Sequence, residues 1–413
     1  MTGSSAIDDF DIAVVGASVA GCTAAKLFAE SGARVALIEK RPDPDAFKVA
    51  CTHAVLPTTT PTIERLGLAS ALLERGVPRT WAQFWTPYGG WFGLPEVRGW
   101  GVTRRTLDPL LRSLAAETPG VELMPGWSAV GTIRGQDRVG GVEIEDQEGT
   151  RRRIRTRLLV GADGRGSAVA RLAGVRGRVK PHNRFFYFAY WRGVPQVLDA
   201  GDPAFRLWLL DPEGAAQFPN EDGLTVLVAT FPRWRLDEVR ADVERSYERL
   251  LRALPDGPEM SEAERVGKIV GKLEVPNVMR APARPGLAFV GDAALATDPL
   301  FGTGISFAFE SAERLVDETA ATLGDERALD TALRQYARRF ALRFWPHHLQ
   351  MAAFSLAKPV TRLERVALRR ATVDTEVART MGEVLARERS PARLCNPRFA
   401  ARLAIPHRIR AAA

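Results

Sequence analysis

The first forty residues alternate between two kinds of apolar pattern. The run DIAVV at 11–15 is nearly unbroken and is followed by a glycine, the pattern of a strand buried on both faces of a parallel sheet. Residues 19–31 are alanine-rich with helical spacing, and Gly32 is suited to close such a helix. ARVALIE at 33–39 then completes a strand–helix–strand unit. Further on, RRTLDPLLRSLAAE at 104–117 reads as an amphipathic helix, and VELMPG begins a new strand. From 127 to 160 the pattern alternates, with turn residues at RGQD and DQEG. It predicts an antiparallel meander returning to the buried strand RLLVGADG.

Residues 181–232 hold the aromatic strands FFYFAYWRG, AFRLWLL and GLTVLVATF. Helical periodicity resumes at 236–253, followed by a strand, GLAFVGDA, at 286–293 and a helix at 304–322. The stretch 327–413 is rich in arginine and alanine and reads as helical, broken near Pro359, Pro391 and Pro397. Nucleotide-binding elements thus recur at 11–40, 104–175 and 286–322, with the aromatic strands between them. The expected fold class is α/β. A Rossmann-like domain is assembled from 1–80, 101–178 and 280–325, with an inserted, mainly antiparallel β substrate domain at 81–100 and 179–279. A helical C-terminal extension covers 326–413.

A chain of 413 residues is too long for one simple core and agrees with two joined domains. No apolar run approaches the roughly 18 residues of a membrane-crossing helix, and the polar start MTGSSAIDDFD is unlike a secretion signal. Cys22, Cys51 and Cys395 lie far apart with no CxxC pair, which argues against a disulfide framework or zinc site and for a cytoplasmic location. Five histidines without ligand spacing predict no metal site. The net charge of +8 arises from scattered arginines and from RRRIRTR at 151–157. Beside the acidic IEDQEG that run reads as a solvated hairpin, so no nucleic-acid partner is expected. An anionic cofactor and substrate also favour a basic surface.

Gly16-Ala-Ser18-Val19-Ala20-Gly21 lies between the first strand and its helix. Gly16 permits the tight turn, and Gly21 lets the helix pack closely. The helix N-terminus at Val19 and Ala20 offers free amides and a positive dipole end to a pyrophosphate. Ser18 replaces the middle glycine of the usual fingerprint, and its hydroxyl can donate to a phosphate. Glu39 ends the second strand, 18 residues after Gly21, where a carboxylate bonds a ribose hydroxyl. Lys40 beside it is a further candidate contact.

Three more segments narrow the cofactor: TRRTLD with Arg104, GADGRGS at 161–167, and GLAFVGDAALATDPLFGTGISFAFESAERL at 286–315. With GASVAG they resemble the FAD-dependent aromatic hydroxylases of the para-hydroxybenzoate hydroxylase type. That wider set includes flavin halogenases and geranylgeranyl reductases, and the match covers roughly 10–320. The resemblance implies FAD as cofactor, with Arg104 near its pyrophosphate and Asp292 on its ribityl or pyrophosphate part. Asp163 would serve both FAD and the nicotinamide donor. The amides of Thr303, Gly304 and Ile305 would face the reducible edge of the isoalloxazine. The chain departs from classical hydroxylases at Leu295, where they have His, and at Ser306, where they have Asn.

The resemblance implies an NAD(P)H- and O2-dependent monooxygenase. Its substrate would be an apolar, aromatic or polyketide-like small molecule, as in secondary metabolism and antibiotic biosynthesis. The segment AAQFPNEDGLTVL resembles a strand pair of bacterial members of that kind. A flavin-dependent reductase of prenyl or other C=C bonds is the alternative, and a separate flavin reductase is a possible partner. A halogenase is disfavoured because WxWxIP is absent and Gln83 stands near the position expected for the catalytic lysine, with Lys48 either a substitute for it or, as expected, a solvated loop residue. Trp85, Tyr187 and Trp208 are the candidate substrate-pocket residues. No catalytic acid or base stands out; His53 and Tyr187 are candidates to deprotonate a phenol. Arg206 is expected on a solvent-facing strand position, with pairing to an anionic substrate as the alternative.

Overall fold

The computed structural model describes residues 7–404; positions 1–6 and the end of the expected C-terminal helical region, 405–413, lie outside the described residues. The apolar runs form one six-stranded sheet in the order Ala283–Arg284, Leu287–Phe289, Leu158–Gly161, Ile12–Val15, Val35–Glu39, Val121–Pro125. All neighbours are parallel except the first pair. Ile12–Val15, Val35–Glu39 and Leu158–Gly161 are buried at every position, which is why they lack alternation. The helix Val19–Glu30 packs between Arg104–Glu117 and Gly304–Thr319. The 127–160 meander forms the strands Ser128–Arg134, Val139–Glu145 and Arg151–Arg155 of a separate sheet.

The aromatic segments build a nine-stranded, mostly antiparallel sheet that also takes in Arg79–Thr86 and Gly90–Gly101. Its central strand Gly214–Pro219 has neither β-branched residues nor alternation, and only the resemblance of AAQFPNEDGLTVL to a strand pair pointed to it. Asp202–Leu209 runs parallel to Arg79–Thr86 and joins the two parts of the sheet. The expected helix 236–253 is split at Asp242, whose φ of −151° is not helical and whose carboxylate caps Val243–Arg252. The fold is the expected α/β class, with C-terminal helices.

Period-two alternation gives the large sheet two different faces. Its front face, toward the six-stranded sheet, places Phe84, Phe186, Phe188, Phe205 and Phe218 in the main core. Its back face places Phe185, Tyr187, Trp191 and Trp208 in a second core with Tyr247 of the helix Val243–Arg252. In the C-terminal region, Glu326–Phe354 packs on Gly304–Thr319, and Thr375–Leu385 lies against Gly90–Gly101. There Gly382 is required by packing: a Cβ would come within 2.7 Å of Leu94 Cδ1.

Candidate active site

The glycine loop is built on two close approaches. Gly16 has φ +105°, and a Cβ on Gly21 would lie 1.7 Å from the Gly16 carbonyl oxygen. Ser18 sits at the N-cap of Val19–Glu30 but makes no capping bond. Its hydroxyl instead accepts from Arg104 Nη2 at 2.6 Å and donates to Asp108 Oδ1 at 3.4 Å. The amides of Val19, Ala20 and Gly21 precede the first helical bond, Cys22 N to Ser18 O, and remain for an anion. Glu39 is buried; one carboxylate oxygen accepts from Ala17 N at 2.9 Å, the other from Arg41 N and Nε at 3.0 Å. Burial alone would raise its pKa, but these donors outweigh burial and hold the carboxyl below its usual range. Lys40 is exposed beside it.

A polar chain links this loop to the far side of the site. Arg104 is buried and pairs with the fully buried Asp108 at 2.6 Å. Asp108 accepts from Lys48 N at 3.0 Å, and Lys48 Nζ donates to Asp292 Oδ2 at 3.2 Å. Lys48 is therefore half exposed yet ion-paired, not the purely solvated loop residue expected. Burial pushes the Asp292 carboxyl up, but Lys48, Arg165 and Arg104 together bring it below the usual range. Asp163 Oδ2 accepts from Val169 N at 2.9 Å, while its other oxygen is buried with no partner among the described residues.

The loop 298–304 turns on Asp298, whose carboxylate accepts from Leu300 N at 2.8 Å, and on Gly302 at φ +66°. Thr303 is buried and Ile305 begins the first turn of the helix opened by Gly304. A Cβ on Gly304 would meet nothing closer than Asp292 Oδ1 at 4.0 Å. Protein packing does not demand a glycine there, and open space over helix amides suits a planar ring. Ser306 Oγ accepts from Leu56 N at 2.9 Å, which anchors the segment 51–57 below the loop. In that segment His53 Nδ1 accepts from Arg104 N at 2.9 Å, so Nε2 carries the proton and donates to Tyr190 OH at 2.7 Å. Burial, then the Arg104 charge, push His53 down to about 3, and burial pushes Tyr190 up to about 12. Both ring nitrogens of His53 are engaged and its ring is held neutral, which suits a structural part better than that of a general base.

A narrow apolar pocket lies on the front face. Its walls include Val55, Phe84, Leu94, Phe205, Phe301 of the 298–304 loop, and Leu385 and Ala386 of the C-terminal region. The expected pocket residues Trp85, Tyr187 and Trp208 are absent from these walls and belong to the back-face core. Their neighbours in sequence point forward, and one position of register separates the two faces. Gln83 and Arg206 also face backward. Arg206 is buried between Trp91 and Trp208, 4.3 and 4.7 Å from their ring centres, and bonds Gln83 Oε1 and Asp256 O. The expected solvent-facing position for Arg206 is thus corrected. The 382–386 wall was missed, since it lies in an ordinary amphipathic helix.

Glycines opening a helix with free amides, a charged carboxylate at the second strand end and a second open helix N-terminus make an arrangement able to hold a dinucleotide. The family described as FAD binding domain matches residues 9–346, and the chain belongs to that family. Among its relatives is a digeranylgeranylglycerophospholipid reductase of Thermoplasma acidophilum, 24% identical over 83% of this chain and 86% of that protein. A 3-(3-hydroxy-phenyl)propionate/3-hydroxycinnamic acid hydroxylase of Paraburkholderia xenovorans is 32% identical over 42% of this chain and 29% of that protein. In fold, the chain is similar to the myxobacterial chondrochloren halogenase CndH, with TM-score 0.73 and 21% identity. That likeness covers 95% of this chain and 93% of the halogenase. The chain is a flavin-dependent oxidoreductase by family. Among the described residues, no helix is long and apolar enough to cross a membrane, and no three His, Cys, Asp or Glu side chains group to hold a metal.

Proposed function

We propose that the protein is an FAD-dependent monooxygenase that uses NAD(P)H and O2 on a compact, apolar small molecule. The observation that carries this reading is the apolar pocket walled by Phe205, Phe301 and Leu385 beside the 298–304 loop. The residues present fit FAD: free amides at Val19 and Ala20, the Ser18–Arg104 pair for its pyrophosphate, and Glu39 for its ribose. Asp292 and the unpartnered oxygen of Asp163 extend this polar path, and the open space at Gly304 would take the ring. When bound, FAD supplies the redox chemistry. The chain's own part is to hold the substrate, exclude water and donate hydrogen bonds. Tyr190, kept protonated by burial and oriented by His53, would serve as a hydrogen-bond donor and not as a base.

Reduction of a C=C bond is the second reading, and the extent of the match to the reductase favours it. Halogenation has less support, since no lysine is among the pocket-wall residues and Gln83 faces the back core. NAD(P)H oxidation by the FAD-loaded protein should rise when small apolar aromatic compounds are added and should consume oxygen. Turnover that proceeds only without oxygen would sink the monooxygenase reading.

A further inference from the structure

The positive charge of the chain is not spread evenly. Residues 326–413 hold 18 of the 57 Lys+Arg and 7 of the 49 Asp+Glu, so they carry +11 while the remainder carries −3. The long helix Glu326–Phe354 buries Leu333, Tyr336, Phe340, Phe344 and Met351 against the fold. Its opposite side exposes Leu342 at 70% and Trp345 and Leu349 at 45% each. Those three positions follow the spacing i, i+3, i+7 and share one stripe, which the exposed Arg334 and Arg338 continue toward the N-terminal end. The next helix, Arg362–Ala371, exposes Leu363 at 70% and Val366 at 47%, with Arg362 and Arg369 exposed as well.

These four arginines make no ion pair among the described residues. Arg339, Arg343 and Arg370 on the same helices are paired, with Glu318, Glu310 and Asp374. The stripe therefore joins exposed Leu and Trp side chains to unneutralised guanidinium groups. An amphipathic helix of that composition lies in a lipid–water interface, with its apolar side among acyl chains and its cations at anionic headgroups. A second copy of this chain would bring like charges together at the same stripe, and an acidic protein surface would leave the Leu and Trp side chains without an apolar partner.

We infer that the stripe Leu342–Trp345–Leu349, with its flanking arginines, docks the protein peripherally on an anionic membrane surface. The Thr375–Leu385 helix of this basic region also walls the apolar pocket through Gly382 and Leu385, so docking would bring that wall's region to a surface where apolar molecules partition.

Flotation of the FAD-loaded protein with phosphatidylcholine vesicles, and with vesicles that also contain phosphatidylglycerol, tests this directly. The protein should float with the anionic vesicles only, and added salt should release it. Replacing Leu342, Trp345 and Leu349 together by Ser should cut the bound fraction about ten-fold. Because these side chains are exposed, the flavin spectrum should stay unchanged. Equal binding to both vesicle types, binding to neither, or binding untouched by the triple replacement would overturn the inference. So would a dimer, seen by sedimentation without lipid, that the same triple replacement dissociates in a protein that ignores vesicles.

Discussion

The two faces of the nine-stranded sheet are both aromatic, yet they do different things. On the back face several of the large side chains with a polar atom are tied down. Trp191 Nε1 donates to Tyr247 OH, Tyr247 OH to Leu227 O, and Trp208 Nε1 to Pro255 O. Such a face is a core, and its bonds fix the helix Val243–Arg252 against the sheet. On the front face the aromatics are mostly phenylalanines, which ask for no hydrogen bond, and one region of that face borders a pocket between the sheet and the helix Thr375–Leu385. Aromatic content therefore says that a strand is buried, while the parity of each residue says whether it meets a core or a ligand.

The sharpest break should come from the glycines that bring nucleotide-binding elements together. Gly21→Ala forces a Cβ into the Gly16 carbonyl and should yield protein that neither folds stably nor binds FAD, as judged by absorbance of the purified fraction. Gly304→Val should fold, because little lies near its added side chain, yet lose the flavin ring's place. Normal flavin spectra in that variant would count against the proposed ring position.

Next in size is a front-against-back pair. Trp208→Ala empties a fully buried back-face site and should cost about 3–5 kcal/mol in denaturant unfolding, without altering KM at temperatures where the variant stays folded. Ala82→Phe adds bulk to the pocket wall and should abolish substrate-stimulated NAD(P)H oxidation while FAD stays bound. If the two variants exchanged these effects, the assignment of faces would be reversed. Arg206→Met should be milder, within about 1 kcal/mol, with KM unchanged, because this guanidinium lies between back-face tryptophans. A large rise in KM for an anionic substrate would return Arg206 to the binding site.

The smallest effect concerns pH. His53 and His347 are pushed down to about 3 and His348 to about 4, in each case chiefly by burial. In the unfolded chain these rings take up protons below about pH 6.5, and in the folded protein only near 3 to 4. The unfolded state thus binds more protons across that window, and stability falls as the pH drops from 6.5 toward 4. His53→Gln should flatten part of that slope in denaturant midpoints measured across the window. An unchanged slope would mean that His53 is not held neutral.

Much of this was legible in the residues. The runs 11–15 and 33–39 and the glycines between them carry strong local constraints, so the nucleotide-binding unit and its family could be read directly. The aromatic strands could be recognised as strands, but FFYFAYWRG is apolar on both faces, so its alternation gives no sign of which side meets a ligand. The structure puts Tyr187 in the back-face core and Tyr190 against the front-face core, a difference that no local pattern shows. The His53–Tyr190 and Lys48–Asp292 contacts span 137 and 244 positions and leave no local pattern. The pocket wall at 382–386 was equally silent, since an amphipathic helix records that it is packed but not what it packs against.

Whether the flavin delivers oxygen to a molecule held on the front face is best tested with labelled dioxygen. The FAD-loaded protein, NAD(P)H and a compound that stimulates cofactor oxidation would be incubated together and the product weighed by mass spectrometry. The account predicts a product that gains one labelled oxygen atom, with Ala82→Phe abolishing its formation. A product that gains two hydrogens without oxygen, or a halogen when halide is supplied, would contradict it.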